Sequence, residues 1–294
     1  MVSRRALIAE QTAPLQAAGI GDARRELLRL LSHILGQPLS RVLANLDEPI
    51  ESDFADRFRL LARRRADREP LAYLTGQADF SGLELTVGPG VLVPRPDSEI
   101  LVEAAVKAVL DGTLARTHGK QLDILDTCTG SGAIGIAIAE WLHRNRVELS
   151  LTLIDLSETA LDYARVNAAR WCPGVPVSIE LGDFFPTAAR EFDLITANPP
   201  YIADTVLPGL MPEVSRHEPA LALAGGSDGL DAYRRLLARA GCFLKPGGLL
   251  LLEHGFDQAD AVGNLVRETG EYGDPTLLID FGGNPRVTIC MRSA

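Results

Sequence analysis

Asn198-Pro199-Pro200-Tyr201 follows directly on the apolar run Phe192–Ala197, which puts two hydrogen-bond acceptors at the end of a strand. The nitrogen of an amide or aromatic amine is a poor nucleophile because its lone pair is delocalised into the adjacent π-system, the resonance that also flattens the peptide bond. A site that accepts both N–H bonds in fixed directions turns that lone pair outward and lets the nitrogen become tetrahedral as it attacks. Asn198 offers a side-chain oxygen, and Pro199 a backbone carbonyl without a competing N–H. Pro199 and Pro200 hold the backbone extended, and Tyr201 offers a flat face against which a planar amide or base can lie. These four residues are the candidate catalytic set. By themselves they specify an acceptor for a planar NH2 group and leave glutamine, adenine and cytosine open. A plain turn is the competing reading, since Asn-Pro and Pro-Pro pairs are common in loops; the position after a fourth strand, downstream of a ligand loop, favours catalysis.

That ligand loop is Asp126-Thr127-Cys128-Thr129-Gly130-Ser131-Gly132, between the apolar run Leu122–Leu125 and a helix rich in alanine and isoleucine. Such loops bring a ligand close to backbone N–H groups at a helix N-terminus. Gly130, Gly132 and Gly135 satisfy the dinucleotide pattern G-x-G-x-x-G, and Asp155 ends the next strand, where a ribose-binding acid belongs. Two features favour S-adenosylmethionine over a nicotinamide dinucleotide. Asp126 suits the ammonium of an amino-acid cofactor and would sit badly beside a pyrophosphate. Asp183 ends a further strand at a position where methyltransferases contact adenine, with Phe184 able to stack on the ring. The candidate cofactor set is Asp126, Cys128, Thr129, Gly130, Ser131, Gly132, Asp155, Asp183 and Phe184, with Asn198 counted in both sets.

The elements that must position these residues read as α/β. From residue 1 to 75 the apolar residues recur at helical spacing, broken at Gly19, Gly36-Gln37-Pro38 and Glu48-Pro49, which predicts a small helical bundle. The cluster Arg63-Arg64-Arg65-Ala66-Asp67-Arg68 reads as a solvated helix face, with a basic docking surface as the alternative. Residues 76–93 change to short β-like runs separated by Ser81-Gly82 and Gly88-Pro89-Gly90, a hairpin linker. Residues 94–294 alternate helix and strand, with strands expected at Leu122–Leu125, Leu149–Ile154, Val175–Glu180, Phe192–Ala197, Leu249–Glu253, Thr276–Asp280 and Arg286–Cys290. The last two are joined through Gly282-Gly283-Asn284, too short for a crossover helix, and so form an antiparallel pair. A parallel sheet ending in an antiparallel hairpin is more typical of methyltransferases than of dinucleotide dehydrogenases.

The charge narrows the substrate. The net charge is −10; residues 1–75 hold 12 arginines against 10 acids (+2), and residues 76–294 hold 17 basic against 29 acidic side chains (−12). An acidic catalytic part disfavours duplex nucleic acid, whose affinity rests on phosphate neutralisation, and suits a cofactor carrying a sulfonium. The four cysteines lie far apart with no metal-ligand spacing, so free thiols and no metal are expected. No apolar run approaches the roughly 20 residues of a membrane span, and the first ten residues have no signal-like apolar core. Cytoplasmic residence is expected.

With these motifs in hand, the sequence resembles the bacterial protein-(glutamine-N5) methyltransferases that modify the Gly-Gly-Gln loop of peptide chain release factors. The resemblance covers essentially the whole chain: Glu69-Pro70-Leu71-Ala72-Tyr73-Leu74-Thr75-Gly76, Leu92-Val93-Pro94-Arg95-Pro96-Asp97-Ser98-Glu99, the cofactor loop, Asn198-Pro199-Pro200-Tyr201-Ile202, Arg216–Leu223 and Leu250-Leu251-Leu252-Glu253-His254-Gly255. It implies a class I (Rossmann-like) methyltransferase domain with a mixed seven-stranded sheet, preceded by a helical substrate-recognition domain and the hairpin. It further implies cofactor contact from Thr129 to Gly132, Asp155 and Phe184, with the glutamine amide held by Asn198 and Pro199. In that picture the bundle and hairpin wall a cleft for the release-factor loop, and the enzyme acts as a monomer without a nucleic-acid substrate. Two departures stand out: Cys128 replaces the first glycine of the commoner D-x-G-x-G-x-G, and Phe184 stands where some relatives have tryptophan. Cysteine fits if the backbone there needs no positive φ.

Pro94-Arg95-Pro96-Asp97 reads either as a helix start capped by Asp97 or as a segment closing over the cofactor, and Arg216–Pro219 as a salt-bridged loop or a substrate wall. His217 and His254 read as structural. The alternatives are a glutamine methyltransferase acting on a large-subunit ribosomal protein, a DNA or RNA amino-methyltransferase, a nicotinamide-dependent oxidoreductase, and a non-catalytic module that kept the fold.

Overall fold

The computed structural model describes residues 2–114, 121–280 and 282–293. Contacts divide the chain into two compact units, residues 1–77 with 211–217, and residues 78–210 with 218–294.

In the first unit, helices α1 (Arg4–Ala17), α2 (Ala23–Leu35), α3 (Leu39–Ala44), α4 (Ser52–Ala66) and α5 (Leu71–Thr75) accompany the short antiparallel pair β1 (Val2–Ser3) and β2 (Pro49–Ile50). Ser3 caps α1, its hydroxyl accepting from the Ala6 N–H, and Gly36 ends α2 in the left-handed conformation at φ +59°. Leu27, Leu30, Leu31 and Ile34 repeat at the spacing of one helix face and are buried with Leu7 and Phe58 in one core.

Residues 211–217 return to this unit from far along the sequence. Arg65 donates to Glu213 at 2.9 Å and also pairs with Glu26, and Arg68 donates to the other Glu213 oxygen at 2.6 Å. Arg64 binds Glu69 through two hydrogen bonds of 2.6 and 2.7 Å. The expected solvated face holds at Arg63, Arg64 and Asp67, which are exposed, and is corrected at Arg65, which is 5% exposed; a buried guanidinium requires partners of opposite charge.

In the second unit, the hairpin strands β3 (Gln77–Phe80) and β4 (Leu83–Thr86) precede α6 (Glu99–Leu110), β5 (Leu122–Thr127), α7 (Ala133–Arg144), β6 (Leu149–Asp155), α8 (Glu158–Trp171), β7 (Val177–Leu181) and β8 (Phe192–Ala197). After α9 (Pro212–His217), which belongs to the first unit, come α10 (Asp231–Ala240), β9 (Leu244–Glu253), α11 (Ala259–Thr269), β10 (Thr276–Ile279) and β11 (Pro285–Met291). The seven-stranded sheet runs β10-β11-β9-β8-β5-β6-β7, with β11 antiparallel to both neighbours and the other pairs parallel.

Successive residues of the central strands point to opposite faces, so Ile124 and Leu194 join α6, α7 and α8 in one core, and Leu125 and Ile195 join α10 and α11 in another. This is the three-layer class I (Rossmann-like) arrangement. The chain leaves β5 toward β6 on one side and returns through β8 on the other. That reversal opens a crevice at the carboxyl ends of β5, β6 and β8. Among the described residues no helix is long and apolar enough to cross a membrane.

Candidate functional site

β5 delivers its last acid into the interior. Asp126 is 1% exposed; Oδ2 accepts from the Thr129 hydroxyl at 2.5 Å and the Gly135 N–H at 3.1 Å, and Oδ1 from the Thr196 hydroxyl at 2.7 Å. Burial pushes its carboxyl up to about 6, against the pull of these hydrogen bonds. The expectation that Asp126 meets an ammonium is corrected: it is absent from the cavity lining, and its acceptors tie the loop to the first turn of α7. Gly135 has no room for a side chain, since a Cβ there would lie 2.7 Å from Asp126 Cβ and from Leu153 Cδ2.

Gly132 is likewise internal. It stands in the left-handed region at φ +82°, where it starts α7, and a Cβ would meet Ile136 Cδ1 at 2.5 Å. Cys128 takes φ +53°. The condition under which a cysteine was expected to fit there, a backbone without positive φ, is therefore not met, and the side chain holds a conformation that costs about 1–2 kcal/mol outside glycine. Burial, with Asp155 and Asp126 nearby, raises its thiol well above the ordinary range.

Cys128, Thr129, Gly130 and Ser131 line a cavity of about 640 Å³ at the crevice, together with Asp155, Asp183, Phe184 and Asn198. Asp155 Oδ2 accepts the Gly130 N–H at 2.8 Å and Oδ1 the Ser157 N–H at 2.9 Å, so this acid braces the loop from the end of β6. Asp183 is held by Arg235 through Oδ2, and the Arg235 guanidinium stands 5.2 Å from the centre of the Phe184 ring.

A methyl-donating sulfonium nucleoside fits this lining on two observations. Asp183 Oδ1 and Ser131 Oγ are buried without a hydrogen-bond partner among the described residues, leaving an acceptor beside an aromatic ring and a hydroxyl in the loop. The ionisable lining is four carboxylates (Asp155, Asp183, Asp204, Asp231) against two guanidiniums (Arg95, Arg235), formally −2, which favours a cation.

Asn198 and Pro200 line the same cavity; Pro199 and Tyr201 do not. Pro199 is buried, and Tyr201 packs on the core beneath α10, where burial pushes its phenol up to about 12. The expected role of Tyr201 as a flat face for the substrate is thus corrected to a supporting one. The loop is pinned on several sides: Gln258 Nε2 donates to Tyr201 O at 2.9 Å, and Ile202 exchanges backbone hydrogen bonds with Leu223 and Gly225. Gly225 permits this approach, because a Cβ there would lie 2.9 Å from Pro200 O.

Segments distant in sequence complete the lining. Arg95 and Ser98 come from the Pro94–Ser98 stretch, Pro219–Ala222 from the segment after α9, and Asp231 and Arg235 from successive turns of α10. Asp97 caps no helix; it pairs with Arg286 at 3.3 Å, and Ser98 occupies the cap position of α6 without its side chain capping the helix. Arg286 is also held by Asp280, at 3.2 Å. His254 is fully buried between Gly255 O and the Thr288 hydroxyl, a structural placement. The four cysteines are free thiols.

Residues 6–76 match the family described as PrmC N-terminal domain, and residues 102–209 match Methyltransferase small domain. The release factor glutamine methyltransferase of Moorella thermoacetica is 42% identical over 99% of this chain and 99% of its own length. That of Geobacter sulfurreducens is 39% identical over 87% of this chain and 85% of its own. That of Mycobacterium tuberculosis is 37% identical over 95% of this chain and 88% of its own. With identity at that level running through both units, the chain belongs to the release factor glutamine methyltransferase family.

Proposed function

We propose that this chain transfers a methyl group from S-adenosylmethionine to the side-chain amide nitrogen (N5) of the glutamine in the Gly-Gly-Gln loop of peptide chain release factors. The observation that carries the reading is the placement of Asn198 in the wall of the cavity that the glycine loop also lines. The Moorella relative, alike over 99% of both chains, supports the substrate class.

The residue roles belong to the proposal. Thr129, Gly130 and Ser131 would receive the amino-acid end of the cofactor, Asp155 the ribose, and Asp183 with Phe184 the adenine. When bound, S-adenosylmethionine supplies an electrophilic methyl on a sulfonium. Asn198 Oδ1, in the cavity wall, accepts one N–H bond of the glutamine amide, and the Pro199 carbonyl, on the peptide bond to the lining residue Pro200, is the acceptor proposed for the other. No strong base is required before transfer, because the acceptor nitrogen gives up its proton after the positive charge has reached it. The apolar lining, with Val91, Ile134 and Leu221, excludes water from a step in which charge disperses.

The helical unit is proposed as the substrate-recognition unit, and the protein as a cytoplasmic monomer; the net charge of −10 supports a protein substrate over nucleic acid. The test is incubation with S-adenosylmethionine and unmodified release factor, followed by peptide mass spectrometry. A mass gain of one methyl on the Gly-Gly-Gln glutamine is expected. An unmodified glutamine beside an active control enzyme overturns the substrate assignment. Calorimetry with S-adenosylmethionine and with NAD checks the cofactor independently.

A further inference from the structure

We propose that Glu253 is a positioning residue that decides which edge of the Asn198 amide faces the cavity. The inference rests on the functional reading above and adds to it a residue that touches neither cofactor nor substrate.

Glu253 ends β9, which runs parallel to β8 with Leu252 opposite Ala197, so Glu253 and Asn198 emerge side by side at the carboxyl edge of the sheet. Glu253 is 1% exposed, lies outside the cavity lining, and its Oε2 has no hydrogen-bond partner among the described residues. Ser98 and Asn198 face its carboxyl and favour the charged form. The Asn198 Nδ2 reaches Ser98 Oγ at 3.4 Å, so the NH2 edge of this amide is the one turned toward Ser98 and Glu253.

An amide carries one acceptor and one donor edge, whereas a carboxylate only accepts. With Glu253 ionised, the donor edge of Asn198 must face it, and Oδ1 is left for the cavity. A flipped Asn198 would set oxygen lone pairs against a buried carboxylate and would offer an N–H to the substrate's amide nitrogen, which presents N–H bonds of its own. Both consequences oppose the flip. The acceptor is thereby fixed before the substrate arrives, which is the preorganisation that electrostatic catalysis requires.

The experiment compares wild type, Glu253→Gln, Asn198→Ala and the double variant. A glutamine can turn either edge to Asn198 and so removes the bias with almost no change of shape. The expected result is a fall in kcat of about tenfold or more, with the Kd for S-adenosylmethionine unchanged and no further loss when Glu253→Gln is added to Asn198→Ala. In 15N spectra, the Asn198 side-chain NH2 pair, identified by its absence in Asn198→Ala, shifts in Glu253→Gln. It also shifts in the wild type as the pH is taken through the ionisation of Glu253.

An unchanged kcat, a cofactor affinity that falls in step with kcat, or independent losses in the double variant overturns the proposal. So does an Asn198 resonance that stays still in the variant and in the wild-type titration, a readout that stands even if Glu253→Gln does not fold. If wild type methylates no release-factor glutamine, the functional reading fails, and the resonance alone decides the positioning role.

Discussion

Arg95 donates through one nitrogen to both carboxylate oxygens of Glu218, at 2.6 and 2.7 Å, joining segments 123 residues apart. The carboxylate is the buried partner: the Glu218 side chain is 1% exposed and that of Arg95 37%. Burial raises the Glu218 carboxyl against the opposing pull of Arg95. The pair ties Pro94–Ser98 to Pro219–Ala222, two stretches that both line the cavity.

Arg95→Ala leaves that carboxylate without its cation. A fully buried pair loses about 3–5 kcal/mol when one partner is removed; with Arg95 partly in solvent, about 2 kcal/mol is expected. Urea unfolding measures it. Calorimetry is expected to show weaker binding of S-adenosylmethionine as well, and unaltered affinity would show that the pair braces the fold without shaping the cavity.

Asn198→Ala removes one of the two acceptors proposed for the glutamine amide. Turnover should fall about 100- to 1000-fold, the cost of losing one preorganised partner at a reacting centre, with Kd for S-adenosylmethionine held within about threefold. Equal loss of both would assign Asn198 to cofactor binding instead.

At Cys128 the usual order of small residues is expected to invert. Glycine is ordinarily less stable than alanine by about 0.5–1 kcal/mol. At φ +53° the alanine keeps the strained Cβ and the glycine does not. Cys128→Gly should therefore be at least as stable as Cys128→Ala in thermal unfolding; the ordinary order would mean that the loop relaxes around any side chain.

The pH dependence of turnover should report Glu253. Burial, reinforced by Asp97, pushes its carboxyl up to about 7, opposed by Ser98, Asn198 and Arg286; Tyr201 also lies within electrostatic reach. The ionised form, which orients Asn198, is lost as the pH falls through that value, so kcat should decline on the acid side of about 7 and Glu253→Gln should flatten the limb. The stability sign is opposite: a carboxyl raised above its unfolded value binds its proton more tightly when folded, so its contribution to stability diminishes as the pH rises from about 4.5, the unfolded range, toward about 7. A rate profile that still declines in Glu253→Gln would assign the limb to another group.

The strands and the ligand loop were legible because their signals are local. The apolar runs at β5, β6 and β8, the glycines at 130, 132 and 135, and the short Gly282-Gly283-Asn284 connection each carry their own geometry. The misread residues depend on a neighbour in space. Nothing adjacent to Asp126 announces that Thr196, on another strand, takes one of its oxygens. Tyr201 lies beneath α10 because of packing that begins at residue 231, and Arg65 is buried by Glu213, 148 residues away. Glu253 stands in the run Leu250-Leu251-Leu252-Glu253-His254-Gly255, but its adjacency to Asn198 follows only from the register of β9 on β8. Asp231 and Arg235 left a faint trace, two charged residues four apart on one helix face, which by itself reads as solvated.

The return of residues 211–217 to the helical unit sets an order of events during synthesis. The helical unit leaves the ribosome ahead of the glycine loop, yet Arg65 and Arg68 face no Glu213 until 148 and 145 further residues have been made. Until then two guanidiniums wait for that anion, with Glu26 and the Glu69 carbonyl serving Arg65. The N-terminal unit is thus completed only after the glycine loop and Asn198 have already been translated.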